Sequence, residues 1–135
     1  MGDKKNLRAH GQGTLSLANG DRFKGNFKEG KMHGTGVYQH SEGIKYVGYW
    51  AYDLRHGPGQ QSFKTGDFYE GNFYKGVFHG KGKLTYSHGA VYEGRFTEGK
   101  IEGFGCYTSG NKVRYLGNWS DNKLHGAALI QKPDG

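Results

Sequence analysis

Histidine is the residue type in this chain whose spacing could support metal chemistry. It recurs at intervals of 23 residues or twice that number, at His10, His33, His56, His79 and His125. Ligands of one zinc ion each lie about 2.1 Å from the metal. If each 23-residue unit is a β-hairpin, equivalent residues lie two strands apart, roughly 9–10 Å. We therefore predict one structural role repeated along the chain, in which each histidine bonds to the backbone at a hairpin, and no metal site.

Other reactive residue types do not form a recognisable active site. The run Gly80-Lys81-Gly82-Lys83 contains glycines and lysines, but a phosphate-binding loop must lead into a helix, and no helical period follows. No Ser, Thr or Cys stands in a nucleophile motif. Glu70 and Glu93 fit a solvated strand face. The sequence predicts a non-enzymatic protein without catalytic residues, metal or cofactor.

The elements that carry these residues are set by a repeat of 23 residues. Each unit opens with an aromatic residue, has a glycine two positions later, and begins its second half with another glycine. The aromatic residues are Phe23, Tyr46, Tyr69, Tyr92 and Tyr115, and the second-half glycines are Gly11, Gly34, Gly57, Gly80, Gly103 and Gly126. A fixed period in this range is typical of solenoids and other repeat arrays.

The motif Tyr-Glu-Gly-x-Phe-x-x-Gly-x-x-His-Gly-x-Gly closely resembles the MORN (membrane occupation and recognition nexus) repeat. Its clearest copies run from Tyr69 to Gly82, including His79-Gly80-Lys81-Gly82, and from Tyr92 to Phe96. The resemblance extends over residues 9–135 and implies a ribbon of β-hairpins with a binding role. It also implies a cytoskeletal, ciliary or membrane-junction setting.

Within one unit, alternating side chains separate an aromatic face from a polar face. In Tyr69-Glu70-Gly71-Asn72-Phe73 the odd positions are aromatic or glycine, and side chains alternate across a strand. The glycine pair Gly80 and Gly82 leaves room for an aromatic ring to lie flat on the backbone. We call such a glycine a socket for the ring. The predicted fold is all-β: an elongated single-layer antiparallel meander of about eleven strands, with one hairpin per unit.

Glycine-containing turns divide the chain into units. Turns are predicted at Glu29-Gly30, Lys75-Gly76 and Glu98-Gly99 inside units, and at Asn19-Gly20, Glu42-Gly43, Thr65-Gly66 and His88-Gly89 between them. Residues 1–8 form a basic tail. The array comprises a partial unit at 9–22, units at 23–45, 46–68, 69–91 and 92–114, and a last unit at 115–135.

Two units depart from this plan. Lys112 stands where a turn glycine is expected, so we expect a distorted connection after the fourth full unit. In the last unit Ala128 replaces the second socket glycine, and the sequence stops at Pro133-Asp134-Gly135, where a turn into another strand is expected. The chain is then either truncated or capped, and one possible cap is edge-to-edge pairing of the C-terminal strand with a second copy.

Function should lie where the units differ from one another. The polar face is interrupted by apolar side chains in the second full unit, and the third continues with Tyr74, Val77 and Phe78. Exposed tyrosines among aliphatic residues are typical of interaction surfaces. We predict that a partner binds Val47, Tyr49, Tyr52, Leu54, Tyr74 and Val77; the alternative is that these side chains only pack on neighbouring strands.

Charge and targeting signals add weaker indications. The net charge of +7 is spread over the units and suits acidic proteins or membranes with anionic lipids, whereas no motif for stacking nucleic-acid bases appears. The lone Cys106, the absence of a signal-peptide core and the absence of a long apolar run favour an intracellular protein.

The predicted function is a non-enzymatic scaffold for protein–protein interaction. By resemblance, the segment from Tyr49 to Gly57 is most similar to repeats of axonemal radial-spoke head proteins, which implies a cytoskeletal partner and a location in the cytoplasm, cilium or flagellum. Two alternatives remain at this point: a module that binds acidic phospholipids such as phosphoinositides, and the targeting segment of a longer enzyme.

Overall fold

The computed structural model describes residues 10–133, and the tail predicted for residues 1–8 lies outside them. Eleven strands form one sheet in chain order, each antiparallel to the next, which confirms the predicted all-β meander. The strands are β1 (Gly11–Ser16), β2 (Arg22–Lys28), β3 (Lys31–Gln39), β4 (Lys45–Ala51), β5 (Leu54–Ser62), β6 (Phe68–Tyr74), β7 (Val77–Thr85), β8 (Val91–Thr97), β9 (Lys100–Thr108), β10 (Arg114–Ser120) and β11 (Lys123–Gln131).

Each full unit pairs a strand of 7 residues with one of 9 residues. The difference in length is absorbed by a bulge: Gly71 pairs with Gly82 and Phe73 with Phe78, so two residues of β6 span four of β7. The bulge places Gly80 in the left-handed region, at φ 77°. Because the two extra residues preserve the alternation, Phe78 shares the aromatic face with Phe73. Our grouping of Phe78 with the exposed apolar residues was therefore wrong.

The turns inside the units are type I′ turns, in which both central residues have positive φ. Lys75 and Gly76 have φ of 49° and 90°, and the predicted glycine-containing turns are confirmed. The second unit uses Tyr52 and Asp53 at φ 48° and 71° without any glycine. The Asp53 carboxylate accepts a hydrogen bond from the Met32 N–H at 2.8 Å, which links this turn to the preceding hairpin and offsets part of the backbone strain.

The connection after the fourth full unit is not distorted, so that prediction was wrong. The Ser109 N–H donates to the Val113 carbonyl at 2.9 Å and the Lys112 N–H to the Ser109 carbonyl at 2.8 Å. The glycine-containing connection after the third full unit has the same two bonds, from Tyr86 and Gly89. Lys112 adopts φ 73° and so takes the conformation of the missing glycine.

The core of this single-layer sheet consists of rings that lie on glycines. A Cβ atom on Gly82 would come within 2.6 Å of the Tyr69 ring, and Tyr69 itself is fully buried. The Tyr69 hydroxyl donates to the Asn72 carbonyl at 2.8 Å. The predicted socket is confirmed for the second glycine of each pair, which is Gly36, Gly59, Gly82 or Gly105. It is wrong for the first glycine, whose role is to form the bulge.

The rings of successive units touch one another and make the core continuous. Tyr69 stacks on Phe78 with centroids 3.8 Å apart, and meets Phe73 and Phe96 edge-on at 5.1 and 5.2 Å. Burial of such a side chain stabilises the fold by roughly 1.5–3 kcal/mol. In the last unit the methyl group of Ala128 lies at the socket, and Tyr115 is only half-buried.

Candidate protein-binding site

The six residues predicted to bind a partner are all exposed and lie on strands β4 to β7 or the turn between β4 and β5. Their side chains keep 40–49% of their accessible surface. We call this set the tyrosine patch. Its members are Val47, Tyr49, Tyr52, Leu54, Tyr74 and Val77.

The strand register brings most of the tyrosine patch together near the turn edge of two hairpins. Tyr74 pairs with Val77 across one hairpin, and Leu54 pairs with Ala51 across the other. Val47 lies further from the turns, opposite Gln60 on one side and Val37 on the other. Tyr52 leans away from the others, since its ring packs on His33 of the preceding unit at 4.6 Å.

Two of the recurring histidines support the turns of the units that follow them. The His10 Nδ1 atom accepts a hydrogen bond from the Glu29 N–H at 3.4 Å, and the His33 Nδ1 atom accepts one from the Tyr52 N–H at 3.3 Å. These bonds confirm the predicted backbone contact for His10 and His33; the prediction is wrong for His56 and His79, which make no such bond within residues 10–133. In the fourth full unit a carboxylate takes over, because Glu102 accepts from the Asp121 N–H at 2.6 Å.

His56 and His79 flank one ring of the tyrosine patch. Their imidazole centroids lie 5.3 and 5.6 Å from that of Tyr74. The His79 Nδ1 atom is buried and has no hydrogen-bond partner among residues 10–133. The Lys75 ammonium lies 5.4 Å from the Tyr74 centroid on the same turn. The Tyr74 ring is thus packed between neighbours although it is 47% exposed.

Lysines border the patch on the side of the first full unit. Lys28 pairs directly with Lys31 across the β2–β3 hairpin, and like charges placed opposite each other repel. On the far side, Lys100 forms an ion pair with Asp121 at 3.2 Å. The border is thus more basic next to unit 23–45 than next to unit 92–114.

On β6, β7 and β8 the polar face carries charged side chains of alternating sign. Glu70 pairs across the strands with Lys83, and Lys83 with Glu93; all three are exposed. The Gln60 amide donates to Glu70 at 2.9 Å. In the described part of the chain, no three His, Cys, Asp or Glu side chains are grouped as metal ligands would be. Glu70 and Glu93 thus occupy the solvated strand face that the sequence predicts for them.

Sequence reasoning missed two notable residues. Phe104 is 60% exposed on the polar face, in a row where other units have Thr35, Pro58 and Lys81. A comparison of the residue between the paired glycines across the units would have indicated it. Arg55 lies on the aromatic face, where its side chain approaches Tyr46 and Phe73.

Comparison with known families agrees with the architecture. From residue 10 to residue 133 the structure contains no helix of the length and apolar character needed to cross a membrane. No curated protein matches the chain. A family model described as MORN repeat matches residues 2–22, 23–44, 46–68, 69–91, 92–114 and 115–135. MORN repeats are interaction or membrane-association modules and do not define an enzyme family, and with six copies along its length the chain belongs to the MORN repeat family.

Proposed function

We propose that this protein is a non-enzymatic scaffold that binds another protein through the tyrosine patch. The observation that carries the proposal is that six large apolar side chains, each 40–49% exposed, lie on two adjacent units, most of them near the turn edge of the polar face. Contiguous apolar surface bordered by polar groups is typical of protein interfaces.

The chemistry of the patch suits a protein partner. Tyrosine is enriched among interface residues that dominate binding energy, because a rigid ring buries much area and its hydroxyl stays hydrogen-bonded. Tyr49 and Tyr74 project from β4 and β6 of a sheet whose other face is packed with rings, so the backbone beneath them is fixed. Little conformational entropy is lost when such a surface binds.

The cellular setting of the proposal rests on resemblance. The segment from Tyr49 to Gly57 is similar to repeats of axonemal radial-spoke head proteins. We infer a partner from a cytoskeletal or ciliary assembly, and a location in the cytoplasm, cilium or flagellum.

A second candidate function, binding of acidic phospholipids, is favoured by the net charge of +7. Each lysine or arginine near an anionic membrane contributes roughly 1 kcal/mol, and salt screens this attraction. An interface centred on tyrosines should respond much less to salt. Salt dependence therefore separates the two functions.

The test compares Tyr49→Ala/Tyr74→Ala with wild type and with a matched control, Phe104→Ala. The control removes an aromatic ring that is even more solvent-exposed, at 60% against 49% for Tyr49 and 47% for Tyr74, and that lies outside the tyrosine patch. We expect affinity capture from a ciliated-cell extract to recover a partner with wild type and Phe104→Ala, and to lose it with the double variant. Circular dichroism checks that all three are folded.

Vesicles containing phosphatidylserine or phosphoinositide provide the opposing test, at low and at physiological salt. Vesicle binding that disappears with salt and ignores the tyrosine substitutions, together with failure to capture a partner, would replace the scaffold function with the lipid-binding one. Capture that is equally strong in the double variant would show that the tyrosine patch is not the interface.

A further inference from the structure

Arg55 interrupts an apolar row on the aromatic face. The second residue of each nine-residue strand faces this side, and in the other full units it is apolar. The residues at this position are Met32, Arg55, Phe78, Ile101 and Leu124. In the third full unit Phe78 covers Tyr69 by stacking on it. Arg55 instead brings a permanent positive charge into the ring layer.

The guanidinium of Arg55 is packed and only partly satisfied. Its Cζ atom lies 5.5 Å from the Phe73 centroid and 6.0 Å from that of Tyr46, and burial lowers the pKa of the group. It donates to the Gln61 amide oxygen and, at 2.6 Å, to the Gly76 carbonyl. A guanidinium has five N–H donors, so Arg55 has donors left for a further acceptor. Among residues 10–133, no carboxylate oxygen lies within 4.0 Å of it.

An open pocket of about 260 Å³ lies beside Arg55. Its walls include Met32, Tyr38, Tyr46, Trp50 and Gln61. The other charged groups in the lining already have partners in the described structure. His40 lies 3.3 Å from the Asp21 carboxylate, and the Asp53 carboxylate accepts the Met32 N–H. Arg55 is thus the one lining cation, within the described residues, that lacks a counter-charge.

We propose that this pocket binds a carboxylate group, supplied by an aspartate or glutamate side chain of a partner protein. Arginine binds carboxylates through two parallel hydrogen bonds, and a single cation matches a single negative charge. A phosphate dianion would bring a second negative charge close to Asp53. The volume is below the range of about 300–1,000 Å³ common for small-molecule sites, yet it is sufficient for one side chain.

The pocket opens on the aromatic face and the tyrosine patch lies on the opposite face, but they share Leu54 at the turn edge between β4 and β5. A partner that covers the tyrosine patch and extends around this edge would place an acidic residue in the pocket. This second statement rests on the proposed function, whereas binding of a carboxylate does not.

The site can be tested without the partner by NMR titration of the full chain with acetate. The probes are the Arg55 Nε–H and the Trp50 indole N–H, which donates to the Gly36 carbonyl at 3.4 Å. The Trp119 indole is an internal control, since it donates to the equivalent Gly105 carbonyl at 3.1 Å in a unit without an arginine. We expect saturable shifts of the Arg55 and Trp50 signals with acetate, no shift of Trp119, and none of the three with chloride at equal ionic strength.

The matched variant is Arg55→Met, which reproduces the residue of the first full unit at this position. We expect it to lose the acetate-dependent Trp50 shift. Arg55→Lys keeps the positive charge but cannot form two parallel hydrogen bonds to a carboxylate. In this variant the Trp50 shift should therefore saturate at a higher acetate concentration. Equal shifts with chloride, a shift retained in Arg55→Met, or no shift in wild type would overturn the proposal, as would tighter binding of inorganic phosphate than of acetate.

The two proposals fail separately. Tyr49→Ala/Tyr74→Ala should keep the acetate response, because neither ring lines the pocket. If that variant loses partner capture and wild type shows no acetate response, only the carboxylate site is refuted. If the acetate response is present and the double variant still captures the partner, the tyrosine patch is refuted instead.

Discussion

Replacement of Gly82 by alanine tests the physical basis of the fold. A Cβ at this position would lie 2.6 Å from two carbon atoms of the Tyr69 ring, where carbon atoms in contact need about 3.5–4.0 Å. The backbone cannot retreat easily, since Gly82 is paired with Gly71 on one side and Gly94 on the other. We therefore expect the Tyr69 ring to leave its site.

The cost follows from what the displaced ring loses. Tyr69 is fully buried, stacks on Phe78 at 3.8 Å and donates to the Asn72 carbonyl at 2.8 Å. Overpacking a core position typically costs about 1–3 kcal/mol, and an unmade hydrogen bond adds about 1 kcal/mol. We expect Gly82→Ala to lower the free energy of unfolding by about 3 kcal/mol.

The matched control is Gly80→Ala, two residues earlier on the same strand. Gly80 has φ 77°, but the nearest atom to a Cβ there is 3.9 Å away, so only backbone strain of about 1–2 kcal/mol is expected. Urea unfolding followed by circular dichroism measures both variants, alone and combined with Tyr69→Ala. Once the ring is gone, Gly82→Ala should cost less than about 1 kcal/mol. The reasoning fails if Gly82→Ala costs no more than Gly80→Ala, or if its cost is the same without the ring.

Four further outcomes follow from the structure. His33→Ala should cost about 0.5–1.5 kcal/mol in urea unfolding, because the Tyr52 N–H loses its acceptor. Hydrogen bonds from the Ser41 N–H and the Tyr38 hydroxyl, with His40 nearby, hold the pKa of Asp21 below its usual 3.8. Ionised Asp21 thus stabilises the fold above that pH, and the stability gap between wild type and Asp21→Asn should close as acid protonates it. Burial raises the pKa of Tyr46 to about 12. The stability that depends on its neutral hydroxyl is therefore complete below pH 10 and is lost as the pH rises towards 12. Absorbance titration should show tyrosines that ionise only in this range. Lys112→Gly should raise the free energy of unfolding by about 1 kcal/mol, since Lys112 has φ 73°; no gain would show that the lysine is unstrained.

The sequence predicts the sheet because every unit must solve the same packing problem. A strand that reads Tyr69, Gly71, Phe73 can bury only one face, and its recurrence every 23 residues leaves a meander as the simplest arrangement. The separate roles of Gly80 and Gly82 could not be predicted in this way. Glycine is equally suited to a ring socket and to positive φ, so its identity alone does not indicate which role applies. The bulge that separates these roles depends on hydrogen bonds between strands.

Lys112 also shows that residue identity alone does not predict backbone conformation, here because a glycine is missing. A missing glycine suggests a changed turn, yet the bonds from Ser109 to Val113 and from Lys112 to Ser109 preserve the loop. The strain of one non-glycine residue at positive φ is about 1–2 kcal/mol, less than the loss of two hydrogen bonds and a shifted register would cost. Tertiary structure therefore overrides local preference at this position.

The candidate site was predictable in part because a single-layer sheet has nothing to cover its second face. Apolar residues at outward positions, such as Val47 and Tyr49, must be exposed unless a partner covers them. Their neighbours could not be predicted as readily. The packing of Tyr52 on His33 and of Tyr74 between His56 and His79 depends on how the hairpins twist past one another.

The two faces of the array thus differ in how freely their residues can vary. On the inner face each ring contacts rings of the next unit, as Tyr46 does with Phe73 at 5.0 Å, so a change in one unit must be accommodated by another. On the outer face the first position after the opening aromatic reads Lys24, Val47, Glu70, Glu93 and Leu116, with no common chemistry. Since the inner face constrains these positions only weakly, their differences carry the information about binding. Arg55 departs from the apolar pattern of the constrained face together with its hydrogen-bond partner Gln61, and because Gln61 carries no charge we infer a role beyond packing for the positive charge of Arg55.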